Sequence, residues 1–571
     1  MKEDQKNLII FFVLAAVLLF AWSPVVNHFF PTPAKTVKVE TTASKNAERG
    51  QPAPTADGAK PTLTVQQALV GGRVAIETPD LKGTINLKGA RIDDLVLKRY
   101  AETVKTDSPP VRLLSPVGAP GAYFAEFGWL GSGVQAPTAD TVWQASAPKL
   151  TPTTPVTLTA TNATGQTFRI DLSVDEHYMF TIRQSVANAG KTPVSVTPYA
   201  LVNRAEKSKD LDQWAANVGP ITTSNGSAAY LNYSDVEKAP QEADSLGGWA
   251  GFTDHYWLTA LVPDQGSKVH FSQRQGPSKA YQADTHLQDA LRVAPGRQVT
   301  YTSRFFAGAK EVKVLNGYEK ALGIKTFGLA IDWGWFSIVE QPIFYYLDWL
   351  FRLIGNFGVA IILLTITIRG LLFPIAHKQF ESMAKMRILQ PKMKALQERY
   401  KDDKAKQQQE IMKLYKEEKV NPLAGCVPIL LQIPIMFALY KVLLLTIEMR
   451  HAPFALWIHD LSVPDPANLV NLIDYLFHIP LPGLFALGVF PLLLGVSMYF
   501  QMKLNPAPMD EIQKQVFAIM PWMLMFVMAP FAVGLQLYWI TSNCITILQQ
   551  RWLYSRHPHM KEPAAKAGVS K

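Results

Sequence analysis

The sequence predicts a polytopic α-helical membrane protein with six transmembrane helices and a large periplasmic antiparallel β-sandwich domain. Beyond residue 330, apolar runs near the ~20 residues that cross a bilayer alternate with charged segments. Between Val65 and Tyr318, by contrast, β-forming and polar residues alternate with a period of two. The charged segments differ in sign, so they are assigned to opposite sides of the membrane.

The chain begins with an apolar run, Leu8–Trp22, behind a short charged start. A cleaved signal peptide is one interpretation, but Pro24 would follow the cut and obstruct it. We therefore predict an uncleaved N-terminal transmembrane anchor over residues 1–25, with its N-terminus in the cytoplasm. Residues 26–64 are rich in Pro, Ala, Thr and Lys, which predicts a flexible linker because such a segment buries too little apolar surface to fold.

The β-sandwich is predicted over residues 65–330, where turn residues separate short alternating runs. The clearest runs are Val156–Thr161, Phe168–Val174, Tyr178–Asn188 and Val299–Gly308. Several aromatic residues of this domain could line a sugar-binding cleft, although core or interface positions are more typical of such residues: Trp129, Trp143, Trp214, Trp249, Tyr256 and Trp257.

A tethered sugar-modifying enzyme is therefore an alternative function. The sequence contains no outstanding pair of catalytic carboxylates, and we find no P-loop lysine, H-E-x-x-H or G-x-S-x-G motif. These observations argue against an enzyme.

The C-terminal half divides at changes between apolar and charged composition. The predicted segments are an interfacial amphipathic helix (331–353), the second transmembrane helix (354–376), a cytoplasmic helical hairpin (377–420), the third transmembrane helix (421–447), a periplasmic loop (448–482), the fourth transmembrane helix (483–503), a cytoplasmic loop (504–514), the fifth and sixth transmembrane helices (515–553) and a basic cytoplasmic tail (554–571).

Charge sets the orientation of these segments, because short cytoplasmic flanks collect Lys and Arg. The hairpin carries twelve Lys and Arg residues against seven acidic ones, and the tail has a net charge of +3. The loop Glu448–Pro482 has a net charge of −3. Both termini are therefore predicted in the cytoplasm and the β-sandwich in the periplasm. The net charge of +10 for the whole chain suggests nucleic acid, anionic lipid or ribosomal RNA as partners.

The second predicted span contains Arg369, a residue that hydrocarbon penalises strongly. One interpretation is an arginine that extends to the headgroups. Thr365 lies four residues before it and shares its helix face. Polar residues also occur in the third span (Gln432) and the sixth (Tyr538 and Ser542). Interhelical hydrogen bonds could explain each residue separately, whereas together they favour a hydrated cavity.

The two cysteines, Cys426 and Cys544, both lie in apolar runs. This position excludes a disulfide framework in the polar half and predicts buried, unreactive thiols.

Four blocks of the C-terminal half closely resemble the bacterial membrane protein insertase family YidC, of the Gram-negative type within the wider YidC/Oxa/Alb family. They are FESMAKMRILQPKMKALQERYKDD (Phe380–Asp403), YKEEKVNPLAGCVPILLQIPIMFALY (Tyr415–Tyr440), APFALWIHDLS (Ala452–Ser462) and LYWITSNCITILQQ (Leu537–Gln550). The predicted anchor, linker and β-sandwich match the architecture of the Gram-negative members.

The resemblance implies an insertase and chaperone for nascent inner-membrane proteins, without a cofactor, a metal or covalent chemistry. Five spans would form its core around a hydrophilic groove, open to the cytoplasm and to lipid and closed outward. The implied groove residues are Arg369, Thr365, Gln432, Tyr538, Trp539 and Ser542. Where the best-known member has a second tyrosine, this chain has Trp539, which keeps ring stacking but lacks the hydroxyl.

The resemblance also implies partners: nascent membrane proteins, membrane lipids, the ribosome through the hairpin and basic tail, and the Sec translocon with its accessory subunits. The candidate functional residues on the cytoplasmic hairpin are Met383, Lys385, Met386, Arg387 and Pro391. The main alternative is a transporter or channel in which Arg369 binds an anionic solute. That alternative predicts repeats among the spans, and the sequence shows none.

Overall fold

The computed structural model describes residues 62–210, 216–334, 337–401, 403–418, 427–468, 487–504 and 511–556. The predicted anchor, most of the linker and most of the basic tail lie outside the described residues, as do Trp214 and Cys426. The chain divides into two compact units, Met1–Trp335 and Phe336–Lys571.

The first unit is built from strands, which we number in chain order. They are β1 (Arg73–Glu77), β2 (Leu81–Asn86), β3 (Arg91–Ala101), β4 (Pro110–Leu114), β5 (Tyr123–Ser132), β6 (Gln144–Ala145), β7 (Lys149–Leu150), β8 (Val156–Thr161), β9 (Gln166–Val174), β10 (Met179–Asn188), β11 (Val194–Arg204), β12 (Gly219–Ser224), β13 (Ser227–Tyr230), β14 (Gln241–Leu246), β15 (Trp249–Thr253), β16 (Trp257–Val262), β17 (Lys268–Gln275), β18 (Tyr281–Leu287), β19 (Leu291–Val293) and β20 (Arg297–Ala309).

These strands form two sheets, and the predicted β-sandwich is confirmed. One sheet has the order β14-β17-β18-β11-β5-β3-β2-β1-β7, with β19 on β11 and β4 on β3; the other has the order β13-β12-β15-β16-β20-β10-β9-β8-β6. The pairing is antiparallel except between β1 and β7, which run parallel. Alternate residues of β9 are buried, as the period of two predicts, because successive side chains point to opposite faces of a strand.

Large aromatic side chains fill the core of the β-sandwich. Trp129 stacks on Trp143 and meets the edge of Phe168, and Trp249 packs against Phe327. All five residues are buried. Three of the tryptophans considered as cleft residues, Trp129, Trp143 and Trp249, are therefore part of the core.

The helices are α1 (Val65–Ala68), α2 (Tyr233–Lys238), α3 (Val312–Leu322), α4 (Ser337–Ile354), α5 (Phe357–Leu371), α6 (Phe373–Arg399), α7 (Lys404–Glu417), α8 (Val427–Leu445), α9 (Val489–Leu504), α10 (Glu511–Met528) and α11 (Val533–Arg556). Short 3₁₀ helices cover Phe327–Ala330 and Ile447–Met449. Within the described ranges, no helix combines the length and apolar character needed to cross a membrane. The count of six spans stays a prediction.

Helix α5 begins where the sequence supplies a cap. The Asn356 side chain accepts a hydrogen bond from Val359 N at 3.1 Å, which satisfies one of the backbone N–H groups that a helix start leaves unpaired. An apolar run follows, and the positions of Ala360, Ile361 and Leu364 are buried. The cap and the buried face fix where this helix starts and which side it turns inward.

The prediction of buried thiols is wrong for Cys544, which is a free and exposed cysteine on α11. The neighbouring Ser542 and Asn543 are buried. Apolar composition all around a helix does not identify its inward face, and here the polar residues occupy that face.

Candidate functional site

The predicted groove residues lie on three helices of the second unit, α5, α8 and α11. Helices α5 and α11 pack against each other, and α8 contacts α11. Residues four apart on a helix lie on the same side. Thr365 and Arg369 therefore share one side of α5, and Tyr538 and Ser542 share one side of α11.

The Arg369 side chain joins α5 to α11. Its Nε donates a hydrogen bond to Ser542 Oγ at 2.8 Å, and its Nη2 donates to the same oxygen. Arg369 is half-buried and Ser542 is buried. A guanidinium has five N–H donors, so three of them remain for water or a ligand beside the two that reach Ser542.

A second hydrogen bond joins α8 to α11 one turn away. Gln432 Nε2 donates to Tyr538 Oη at 2.6 Å. Tyr538 is buried and Gln432 is half-buried. Because Tyr538 and Ser542 are four residues apart, α11 connects the two hydrogen bonds along one side of the helix. The structure thus brings Arg369, Gln432, Tyr538 and Ser542 together.

Two other predicted residues take part differently. Thr365 is buried and its hydroxyl donates to Ile361 O at 2.7 Å, a bond within its own helix. Trp539 is half-buried beside Tyr538 and contributes to neither interhelical bond.

No acidic side chain forms an ion pair with Arg369 within the residues that the structure describes. Elsewhere among the described residues of the second unit, Asp348 pairs with Arg352 and Lys392 pairs with Glu418. Arg369 instead uses a neutral hydroxyl. The positive charge at this position is therefore anchored without being neutralised by any described carboxylate.

The structure adds polar contacts that the sequence did not predict. Asn543 Nδ2 donates to Ser497 Oγ at 3.0 Å, which joins α11 to α9 on a different side of α11 from Ser542. Tyr346 of α4 and Thr367 of α5 share a hydrogen bond of 2.9 Å between their hydroxyl groups. In the sequence, these contacts are indicated only by single polar residues within apolar runs, such as Ser497. The spacing of such residues does not identify their partners.

The hairpin consists of α6 and α7. Leu389, Met393 and Tyr415 pack together in its buried cluster, and Lys392 pairs with Glu418 at 2.7 Å. Of the predicted hairpin residues, Pro391 is exposed within α6. The side chains of Met383, Lys385, Met386 and Arg387 lie outside the described ones.

The β-sandwich holds its buried charges in a different way. Four of its half-buried arginines pair with carboxylates: Arg73 with Asp93, Arg91 with Glu126, Arg204 with Asp254 and Arg274 with Asp284. Burial raises the pKa of Asp284 to about 6, although Arg274 opposes the shift. Burial and the neighbouring His270 lower the pKa of His286 to about 4.

Comparison with known proteins gives the family. Residues 73–346 match the family described as YidC periplasmic domain, and residues 349–561 match the one described as 60Kd inner membrane protein. The Membrane protein insertase YidC of Zymomonas mobilis is 45% identical to this chain, over 99% of the chain and 98% of that protein. The protein of the same name from Beijerinckia indica is 42% identical, over 97% of the chain and 96% of that protein.

The chain belongs to the YidC family of membrane protein insertases. The family resemblance noted on the sequence blocks is thereby confirmed. A solved structure titled as an active YidC insertase with its first transmembrane domain resolved is also similar, with 19% identity and a TM-score of 0.37, over 84% of this chain and 92% of that one. The YidC periplasmic domain match covers the β-sandwich and the start of α4, and the 60Kd inner membrane protein match covers the three helices that carry Arg369, Gln432 and Ser542.

Proposed function

We propose that this protein is a membrane protein insertase and chaperone, which passes nascent inner-membrane proteins through a hydrophilic groove open to the cytoplasm and to lipid. The observation that carries the proposal is the polar cluster on three apolar helices. Arg369 reaches Ser542, and Gln432 reaches Tyr538 one turn away. Family membership supports the same activity.

The physical task explains why such a cluster is useful. A nascent segment carries polar groups that must cross hydrocarbon, where each unsatisfied group costs several kcal/mol. Polar side chains partway along the helices shorten the apolar distance. The Arg369 guanidinium keeps N–H donors that can bind an acidic group of the substrate through charge-assisted hydrogen bonds. The apolar part of the substrate would then move sideways into lipid, and no covalent step or cofactor is needed.

Helix α4 supports contact with membrane lipids. Four large apolar residues on it, Ile338, Tyr345, Trp349 and Leu353, are exposed. The last three are four residues apart, so they form one stripe along the helix. Its other side buries Phe344 and other side chains. An apolar stripe with Trp and Tyr is typical of a helix that lies in the membrane interface.

The proposed location is the bacterial inner membrane, with several spans, both termini in the cytoplasm and the β-sandwich in the periplasm. The excess of Lys and Arg in the hairpin and tail supports this orientation. The same basic segments are the proposed contact with the ribosome. Cooperation with the Sec translocon and its accessory subunits is proposed from the family resemblance.

Site-specific photo-crosslinking to a stalled nascent membrane protein tests the proposal. A photoreactive residue is placed at Thr365, Gln432 or Tyr538, and ribosome-bound substrate chains of increasing length are added. We expect crosslinks at all three positions, over a window of chain lengths. Ile366 is the matched control, because it is exposed on another side of α5.

Equal crosslinking from Ile366 and Thr365 would contradict a groove on the Thr365 side. Transport of an anionic solute by the purified protein, without any crosslink to nascent chains, would favour the transporter or channel.

A further inference from the structure

The loop that follows α8 is attached to the start of α5. Asn356 Nδ2 donates a hydrogen bond to Phe454 O at 2.9 Å. The Phe454 ring lies against Gly358 so closely that a Cβ atom at Gly358 would lie 1.9 Å from its Cδ2 atom. A side chain at position 358 would therefore displace the ring. The contact between the Phe454 ring and α5 therefore requires glycine at position 358.

The same loop is attached to the start of α11. Val533 N donates to Val463 O, and Gly534 N donates to Leu461 O, both at 2.9 Å. The first backbone N–H groups of a helix have no partner within it, and here the loop carbonyls supply partners. Gly534 is also close-packed, since a Cβ there would meet Leu461 O at 3.1 Å.

The loop is internally fixed between these two attachments. Leu461 N donates to Ala452 O, and Phe454 N donates to Ile458 O, both at 3.0 Å. The side chains of Ile458 and Leu461 are buried. We call Ala452–Val463 the clamp loop. Since its ends are bonded to each other, it holds the starts of α5 and α11 at a fixed separation along their axes.

Axial distances connect the clamp loop to the polar cluster. Arg369 lies eleven residues after Gly358, about 16 Å along α5, and Ser542 lies eight residues after Gly534, about 12 Å along α11. Side chains on a helix lean toward its N-terminus, so the long Arg369 side chain covers the difference of about 4 Å. A slide of one helix by 1 to 2 Å would exceed the ~2.7–3.2 Å range of a hydrogen bond.

We propose that the clamp loop is a positioning element that sets the register of α5 against α11 and thereby holds the Arg369 guanidinium on Ser542. Lipid supplies no hydrophobic driving force between helices, which are held by packing and interhelical hydrogen bonds, so fixed contacts at the helix ends can set their register. Gly358 and Phe454 are then positioning residues for the polar cluster, although they lie far from it. The functional part of this inference rests on the proposed insertase activity.

The experiment uses the full chain in lipid nanodiscs, labelled with ¹⁵N-arginine. Exchange of the Arg369 Nε proton with solvent is measured by NMR, and the Ser542→Ala variant gives the rate without the hydrogen bond. We expect Gly358→Ala and Phe454→Ala each to accelerate this exchange toward the Ser542→Ala rate. Gly370→Ala is the matched control, because a Cβ at Gly370 on the same helix meets no atom within 4 Å.

Insertion of a small model membrane protein into proteoliposomes is measured on the same variants. We expect Gly358→Ala to lower the rate by about threefold to fifteenfold, the range that interhelical hydrogen bonds contribute in membranes. If the clamp loop acts through Ser542, Gly358→Ala lowers the rate no further in the Ser542→Ala background.

Each outcome bears on one proposal. Unchanged Arg369 exchange in both Gly358→Ala and Phe454→Ala would overturn the clamp. It would also be overturned if Gly358→Ala and Ser542→Ala lower the insertion rate of the double variant by the product of their separate effects. Faster exchange with unchanged insertion would keep the clamp and overturn the role of Arg369 in insertion.

Discussion

Two arginines of the β-sandwich, Arg204 and Arg274, and one arginine of the helical unit, Arg369, are held by different kinds of partner. In the β-sandwich, Arg204 and Arg274 each meet a buried carboxylate at 2.7 Å. In the helical unit, Arg369 meets the hydroxyl of Ser542, and no described carboxylate pairs with it. A paired guanidinium is neutralised and serves the fold, because breaking a buried pair is costly. An arginine anchored by a neutral group keeps its charge for another molecule.

The largest expected effect comes from breaking a pair in the β-sandwich. In Arg274→Met, the buried carboxylate of Asp284 loses its charge partner, and we expect the free energy of unfolding to fall by about 3 to 5 kcal/mol. Hydrogen exchange of β17 and β18 in the full chain measures this loss. Arg274→Met/Asp284→Leu should recover most of it, because apolar side chains replace both charges. A double variant as unstable as the single one would show that the pair does not act as a unit.

The next largest effect is a loss of β-sandwich stability at low pH, to which His286 contributes. Its folded pKa of about 4 lies below the ordinary value of 6.5, so the unfolded chain takes up this proton first as the pH falls. The folded state therefore loses up to about 3 kcal/mol between pH 6.5 and pH 4. His286→Gln should remove this loss. As the pH falls from 6.5 to 4, the unfolding free energy of the variant should therefore decrease less than that of the parent. Asp284, whose pKa is raised, acts in the opposite direction between its ordinary value of 3.8 and about 6 in both proteins. A difference that does not change with pH would refute the role of His286.

A smaller effect is expected from changing the charge of Arg369. If Arg369 holds acidic substrate groups, Arg369→Glu should lower insertion of a model protein by at least about tenfold, roughly the 1.4 kcal/mol of one charge-assisted hydrogen bond. Arg369→Lys should retain more activity, since it keeps the positive charge. Arg183→Glu, exposed on β10, controls for the change in net charge. Equal activity of the Glu and Lys variants in reconstituted liposomes would contradict an electrostatic role.

The smallest effect is expected from removing most of the β-sandwich. A deletion of residues 73–300 leaves the polar cluster of the helical unit untouched, so insertion should change by less than about twofold. Circular dichroism and size-exclusion chromatography establish that the shortened chain keeps its helices. Complete loss of insertion with intact helices would show that insertion requires the β-sandwich as well as the helical unit.

Much of the fold could be predicted from the sequence, because each prediction rested on a local pattern. The period of two places β8, β9, β10 and β20 within a few residues of their observed bounds. Helical spacing likewise places Thr365 with Arg369. Patterns failed where the outcome depends on a neighbouring element. Cys544 lies in an apolar run and is nevertheless exposed, since the side that α11 turns inward is decided by its partners.

The sequence by itself determined the β-sandwich, the family and the types of side chain available to the helical unit. Only the tertiary structure decided that Arg369 meets Ser542, 173 residues later in the chain. It also decided that the Phe454 ring takes the space beside Gly358. The physical reason is that periodicity defines the faces of one helix, whereas the axial register between two helices depends on contacts at their ends.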